Sequence, residues 1–188
     1  MRSASDMAEL TSDLFVSLDG YAFGESAGPF FGLGGPELDA WVRGVLARPQ
    51  VVVMGRVTYQ AMAAIAGSAT DEISLRMTEL PKVVVSNTLA EPLAWSNTRL
   101  VRGDLGTGIG ALKRTSPAPL RTIGSMTLVG AMLRLGLVDL LRLAFFPLTL
   151  GTDGREPAFA SFPRTGFELA GGRVLDSRVM MLDYLPRR

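Results

Sequence analysis

Neither cysteine nor histidine occurs anywhere in these 188 residues. Without cysteine there is no disulfide and no thiolate nucleophile. Without histidine the commonest general base and the commonest zinc ligand are both missing, and no metal site is expected. Charged residues make up 20% and nearly cancel, at a net +1, with no run of Lys or Arg. That leaves no footing for nucleic acid. Long apolar runs are lacking too. A membrane helix needs about 18 consecutive apolar residues, and the stretch from Leu133 to Leu150 is broken by Arg134, Asp139, Arg142 and Pro147. The start lacks the basic-then-apolar order of a signal peptide. These absences predict a cytoplasmic chain with no membrane partner.

What is present fits a folded enzyme-sized unit. Hydrophobic residues reach 47%, which excludes disorder except in the polar start, residues 1–8. Residues 9–188 read as a single domain, large enough to bury roughly 70% of the surface its unfolded chain exposes. The nine methionines are scattered as core filling, and Trp41 and Trp95 read as packing residues.

The most telling stretch is Val51-Val-Val-Met-Gly-Arg-Val-Thr-Tyr59. Its unbroken apolar run reads as a strand covered on both faces. The strand breaks at Gly55 and a helical pattern follows. Such a turn leaves free N–H groups and a positive dipole end at the sheet's carboxyl edge. Arg56 adds a forked cation and Thr58 a hydroxyl, the makings of a phosphate site. A second strand, Lys82-Val-Val-Val85, ends in Ser86-Asn87-Thr88. A third, Leu120-Arg-Thr-Ile123, ends in Gly124-Ser125 and opens another helix. Three such ends can line one crevice.

Around these motifs the pattern predicts a first strand over 10–18 and a glycine-rich loop over 19–35. A helix follows over 36–47, with Leu38, Trp41, Val42, Val45 and Leu46 as its apolar stripe. Strands are expected at 50–54, 82–86, near 98–102, at 120–123 and at 139–146, with helices at 57–65, 107–114 and 125–136. The segment between 66 and 81 reads as a polar connection, and 147–162 as a loop. Gly106-Thr-Gly-Ile-Gly110 has the wrong spacing for a dinucleotide fingerprint and reads as a loose helix start. Gly136 reads as a helix C-cap. The last strands, near 166–175 and 178–185, meet at Asp176-Ser177. With no helix between them they must be antiparallel.

The order and spacing of the strand ends resemble dihydrofolate reductase, and more closely the reductase domain of riboflavin biosynthesis. Ser17-Leu-Asp-Gly20, Gly55-Arg-Val-Thr58, Pro81 to Leu89, Trp95-Ser-Asn97, Ile123-Gly-Ser125, Gly136-Leu-Val-Asp139 and Pro147 to Gly151 recur in that order through nearly the whole chain. The resemblance implies an α/β fold: a three-layer sandwich, with a mixed central sheet, helices on both faces and a C-terminal antiparallel hairpin. It also implies an NADPH-dependent oxidoreductase, a homodimer, acting on a small heterocyclic, carbonyl or imine substrate. The implied cofactor residues are Gly55, Arg56, Thr58, Ser86, Asn87, Thr88, Arg102, Gly124 and Ser125. No carboxylate stands among the ribose-end candidates Arg56, Ser86, Thr88 and Arg102, which favours NADPH over NADH. The family pattern departs at Ser125, where relatives often carry a second glycine, and at Leu140, where they often carry Glu.

With no His or Cys, a carboxylate or water must supply the proton that accompanies hydride. Asp39 falls in register with the acidic residue on the helix lining the pterin pocket of dihydrofolate reductase. Asp19, at the start of the loop implied to cover the nicotinamide, is the rival and reads first as a loop-positioning residue. Dihydrofolate itself would need a basic clamp for its glutamate tail, for which Arg43 and Arg48 are candidates. Two other readings stand beside the reductase. One is a nucleotide-binding module without turnover, the other a cofactor-independent isomerase or cyclase on the same fold.

Overall fold

The computed structural model describes residues 7–68 and 70–187; the expected disordered start falls, through residue 6, outside the described residues. In chain order the strands are β1 (Leu10–Ser17), β2 (Tyr21–Gly24), β3 (Val51–Gly55), β4 (Lys82–Val85), β5 (Thr98–Val101), β6 (Leu120–Ile123), β7 (Leu140–Phe146), β8 (Gly154–Pro157), β9 (Phe167–Leu175) and β10 (Val179–Pro186). The helices are α1 (Pro36–Leu46), α2 (Arg56–Ala66), α3 (Glu72–Glu79), α4 (Leu105–Thr115) and α5 (Met126–Arg134).

Eight strands form one sheet in the order β5-β4-β3-β6-β1-β7-β10-β9. The first six are parallel, while β10 runs antiparallel to β7 and β9 antiparallel to β10. The apolar run of β3 is explained by burial on both faces. Val51 and Val53 meet Ile109, Leu112, Val129 and Met132 of α4 and α5. Val52 and Met54 meet Leu46, Tyr59 and Met77 of α1, α2 and α3. The result is the three-layer α/β architecture expected from the sequence. The hairpin turns at Asp176 and Ser177, whose φ values of 51° and 55° suit the tight turn that follows strand twist.

Three elements escaped the pattern. The connection between 66 and 81 contains α3, capped by the Asp71 carboxylate on the Ser74 amide at 3.0 Å. It was hidden because Met77 is its one fully buried residue. The two segments read as loops contain β2 and β8, which pair antiparallel with each other. Their partners lie about 130 residues apart, so neither run announces itself locally. Trp95 packs as expected: it is buried, and its indole N–H donates to Thr78 Oγ1 at 3.0 Å. The Lys82 ammonium sits 4.6 Å from its ring centroid and donates to the carbonyls of Met77, Thr78 and Leu80. Burial pushes that lysine down to about 8.

Candidate functional site

The carboxyl ends of β3 and β6 are fastened together by three of the residues singled out in the sequence. The Gly55 N–H donates to Ser125 Oγ at 2.9 Å, and Ser125 Oγ donates to Thr58 Oγ1 at 2.8 Å. Gly124 and Ser125 both hold left-handed backbone, at φ +53° and +61°. A Cβ on Gly124 would meet nothing closer than Thr58 Oγ1 at 3.6 Å. Backbone conformation, not crowding within the protein, therefore asks for glycine there.

After β4, Ser86 Oγ accepts the amides of Thr88 and Leu89, both at 3.1 Å, and folds the chain into a turn. Asn87 Oδ1 ties that turn to the next by accepting the Gly103 N–H at 2.7 Å. Gly55, Arg56, Thr58, Ser86, Asn87 and Ser125 line one cleft of about 480 Å³ at this edge. Thr88 and Arg102 flank it without lining it. The Arg102 guanidinium donates to the carbonyls of Asn87 and Leu89, so it braces the turn from outside. Arg56 donates to Gln60 Oε1 at 3.0 Å from an exposed position.

Helix starts distinguish this edge from the rest of the molecule. The first amides of α1 are taken by the Asp176 carboxylate at 2.9 and 3.1 Å. Those of α3 and α4 are capped by Asp71 and Asp104. Helices α2 and α5 begin at Gly55 and Ser125 with no side-chain cap, and both starts face the cleft. Two sets of free N–H groups and two positive dipole ends converge there.

A second cavity of about 390 Å³ adjoins the cleft, between α1 and the sheet. Thr58, Ser125, Met126 and Glu156 border both. Phe15, Phe30, Trp41, Val45 and Met62 contribute apolar wall. Trp41, expected to be mere packing, is a wall of this cavity, with the Arg121 guanidinium 5.3 Å from its ring centroid. Gly124 lines this cavity and not the cleft.

The cavity also holds a residue the sequence reading passed over. Asp13 stands in mid-strand on β1 and is only 8% exposed. Its Oδ2 pairs with Arg121, while Oδ1 has no hydrogen-bond partner and lies 3.7 Å from Arg142 Nη1. Arg142 spends its fork on Asp183, at 2.5 and 2.9 Å. Burial pushes the Asp13 carboxyl up to about 6, outweighing the pull of both guanidiniums. The available signal was an acid inside a strand that otherwise buries its side chains, a position that is costly unless something compensates. Partial desolvation raises Glu156, whose side chain stands at the exposed rim, above its ordinary value.

The two acids named as catalytic candidates lie elsewhere. Asp39 is exposed on the first turns of α1, and the cavity is lined by Trp41, Val42, Val45 and Leu46 further along that helix. Asp19 is exposed and anchors the 147–153 loop. It accepts the Ser17 hydroxyl at 2.6 Å and the amides of Leu150 and Gly151 at 3.0 and 2.7 Å, which holds its carboxyl down at about 2. That is a loop-positioning role. Arg43 pairs with Glu72 on α3, and neither it nor Arg48 lines the cavity.

Comparison with known structures places the fold among dihydrofolate-reductase-like proteins. A Shewanella sp. PV-4 protein named for riboflavin biosynthesis superposes with a TM-score of 0.71 at 22% identity, over 96% of this chain and 99% of that one. A pyrimidine reductase-like protein of Corynebacterium diphtheriae gives 0.66 at 15% identity, over 98% and 94%. Dihydrofolate reductase of Enterococcus faecalis, solved with NADP(H), gives 0.65 at 13% identity, over 96% and 97%. No curated protein matches the sequence. The family model of the RibD C-terminal domain matches residues 8–181, and the chain belongs to that family.

Proposed function

We propose that this chain is a reductase that binds NADPH in the cleft and reduces a small ring compound in the adjoining cavity. The observation that carries the reading is the pair of uncapped helix starts converging on a cleft that shares a wall with an apolar cavity. The uncapped first amides of α2, from Arg56 to Thr58, and of α5, from Met126 on, with the Arg56 side chain beside them, suit phosphate groups. Arg56 and the hydroxyls of Ser86 and Thr88 suit a 2′-phosphate better than a free ribose, and Arg102 supports the turn that presents them. When bound, the nicotinamide supplies hydride. The substrate carbon that receives it gains a C–H bond while the neighbouring heteroatom takes one proton. Glu156 on the shared wall is the carboxylate best placed to deliver that proton, replacing Asp39 in this reading.

A second copy of the chain completes the proposal. Val174 and Met180 are cross-strand neighbours on the β9–β10 hairpin, yet 57% and 49% exposed. An apolar pair on a sheet edge suits a homodimer contact, and Met180→Glu should leave a monomer in sedimentation. Among the described residues no helix is long and apolar enough to cross a membrane. A cysteine-free NADPH enzyme fits the cytoplasm.

The test is titration with both cofactors, followed by substrate-dependent loss of NADPH absorbance. NADPH should bind at least tenfold more tightly than NADH, since a charge-assisted contact contributes about 1.5–3 kcal/mol. Arg56→Ala should erase most of that preference. Equal binding of NADH overturns the cofactor assignment, and binding without turnover of any ring compound leaves a nucleotide-binding module.

A further inference from the structure

The two edges of the eight-stranded sheet are not alike. β5 closes one edge with four residues, whereas β9 closes the other with nine. Among the described residues β9 pairs only with β10, and it carries neither proline nor lysine to block a further strand. Gly171 stands near its middle, and a Cβ there would meet nothing within 4 Å. Its own chain does not crowd that position, and a strand glycine of this kind suits the close approach of a second backbone.

The side chains of β9 also follow a self-complementary order. One extra residue, Ala170, bulges between the Leu169–Tyr184 and Gly171–Asp183 pairs. In a regular strand, residues five apart face opposite ways. The bulge instead sets Glu168 beside Leu185 and Arg173 beside Met181, both on one face of the sheet. Both charges are exposed. Among the described residues Glu168 has no ion pair, and Arg173 comes only to 3.9 Å from Asp183, which Arg142 already holds. The other face is apolar along β9, with Phe167, Leu169 and Val174, the last two exposed.

Resting on the homodimer reading above, we infer that a second copy adds antiparallel to the β9 edge, with the two-fold axis between Ala170 and Gly171. In that register Glu168 faces the partner's Arg173 and Val174 faces the partner's Phe167. The axis stands perpendicular to the sheet, so each face meets its like and every opposed pair occurs twice. The two sheets become one, and the apolar strip around Val174 and Met180 continues across the seam. A slip of one residue would set Glu168 against the partner's Val174 or the partner's Gly172 and lose both charge pairs.

Sedimentation of the full chain tests the register through charge reversal. Glu168→Arg and Arg173→Glu should each raise the dimer dissociation constant about tenfold or more, because each sets like charges face to face at two places. The double reversal should restore wild-type dimerisation. Both side chains are exposed, so folding is spared. The absence of cysteine allows a second measurement. Directly opposed Cα atoms lie about 4.5–5.5 Å apart, within the roughly 4.4–6.8 Å that a disulfide spans. Glu168→Cys combined with Arg173→Cys should therefore give a covalent dimer on mild oxidation, since within one chain the two stand about 15 Å apart. Glu168→Cys combined with Val174→Cys, one residue out of register, should not. A dimer that ignores the single reversals, a double reversal without rescue, a matched pair that stays unlinked, or equal linking of the shifted pair overturns this inference and leaves the homodimer reading standing. A monomer at every concentration overturns both, and NADPH titration judges the cofactor reading apart from either.

Discussion

Replacing Asp13 by Asn should change how stability depends on pH, with a sign that separates two physical pictures. Burial raises the Asp13 carboxyl from 3.8 to about 6 despite Arg121 and Arg142 nearby. Between those values the folded protein keeps a proton that the unfolded chain has released. Its stabilising contribution is therefore present in full below about pH 4 and is lost as pH rises through about 6. The shift corresponds to about 3 kcal/mol. Asn at this position cannot titrate, so wild-type stability minus variant stability should fall by about that amount between roughly pH 4 and pH 7. For a chain of this length that is a relative movement in melting temperature of roughly 6–12 °C. Melting curves of both proteins across the range provide the measurement, and a carboxyl titration by NMR would report the group directly. A difference that stays flat between pH 4 and pH 7, or grows with pH, would refute the reasoning. It would mean that the two guanidiniums outweigh desolvation and that Asp13 is ionised throughout.

Gly124→Ala forces a side chain into left-handed backbone at φ +53° and should cost about 1–2 kcal/mol in melting experiments. Its loss of NADPH affinity should exceed what that destabilisation explains, and unchanged affinity would remove the turn from the cofactor site. Asp19→Asn should speed hydrogen exchange at the Leu150 and Gly151 amides, which it now holds. Because the Asp19 carboxyl is lowered to about 2, its contribution is full above about pH 4 and fades as pH falls toward 2. Glu156→Gln should lower turnover by about 10²-fold or more, the usual worth of general-acid help, with NADPH affinity nearly unchanged. Asp39→Asn should leave turnover near wild type, and the reverse pattern would return the proton to Asp39.

The β3 run, the glycine and hydroxyl residues at the three strand ends, and the hairpin at Asp176-Ser177 were legible without coordinates. Each is a local signal. Burial on both faces demands a continuous apolar run, and a chain leaving a strand for a helix needs small residues at the bend. Spacing therefore marked the mixed sheet and the edge of it where the cleft forms, and the family resemblance implied the three layers. What tertiary structure decided is which side chains share a space. Periodicity put Trp41 on the apolar side of α1, but only packing shows that part of this side faces a cavity and not the core. The β2–β8 pairing, which brings Glu156 to the shared wall, joins segments with no mutual mark in the chain. The meaning of Asp13 depends on Arg121 from a strand more than a hundred residues away. A charge inside a strand is readable as an anomaly, whereas its partners, Arg121 and Arg142, are set by the order in which strands assemble. That order is a property of the assembled sheet, not of any segment in it.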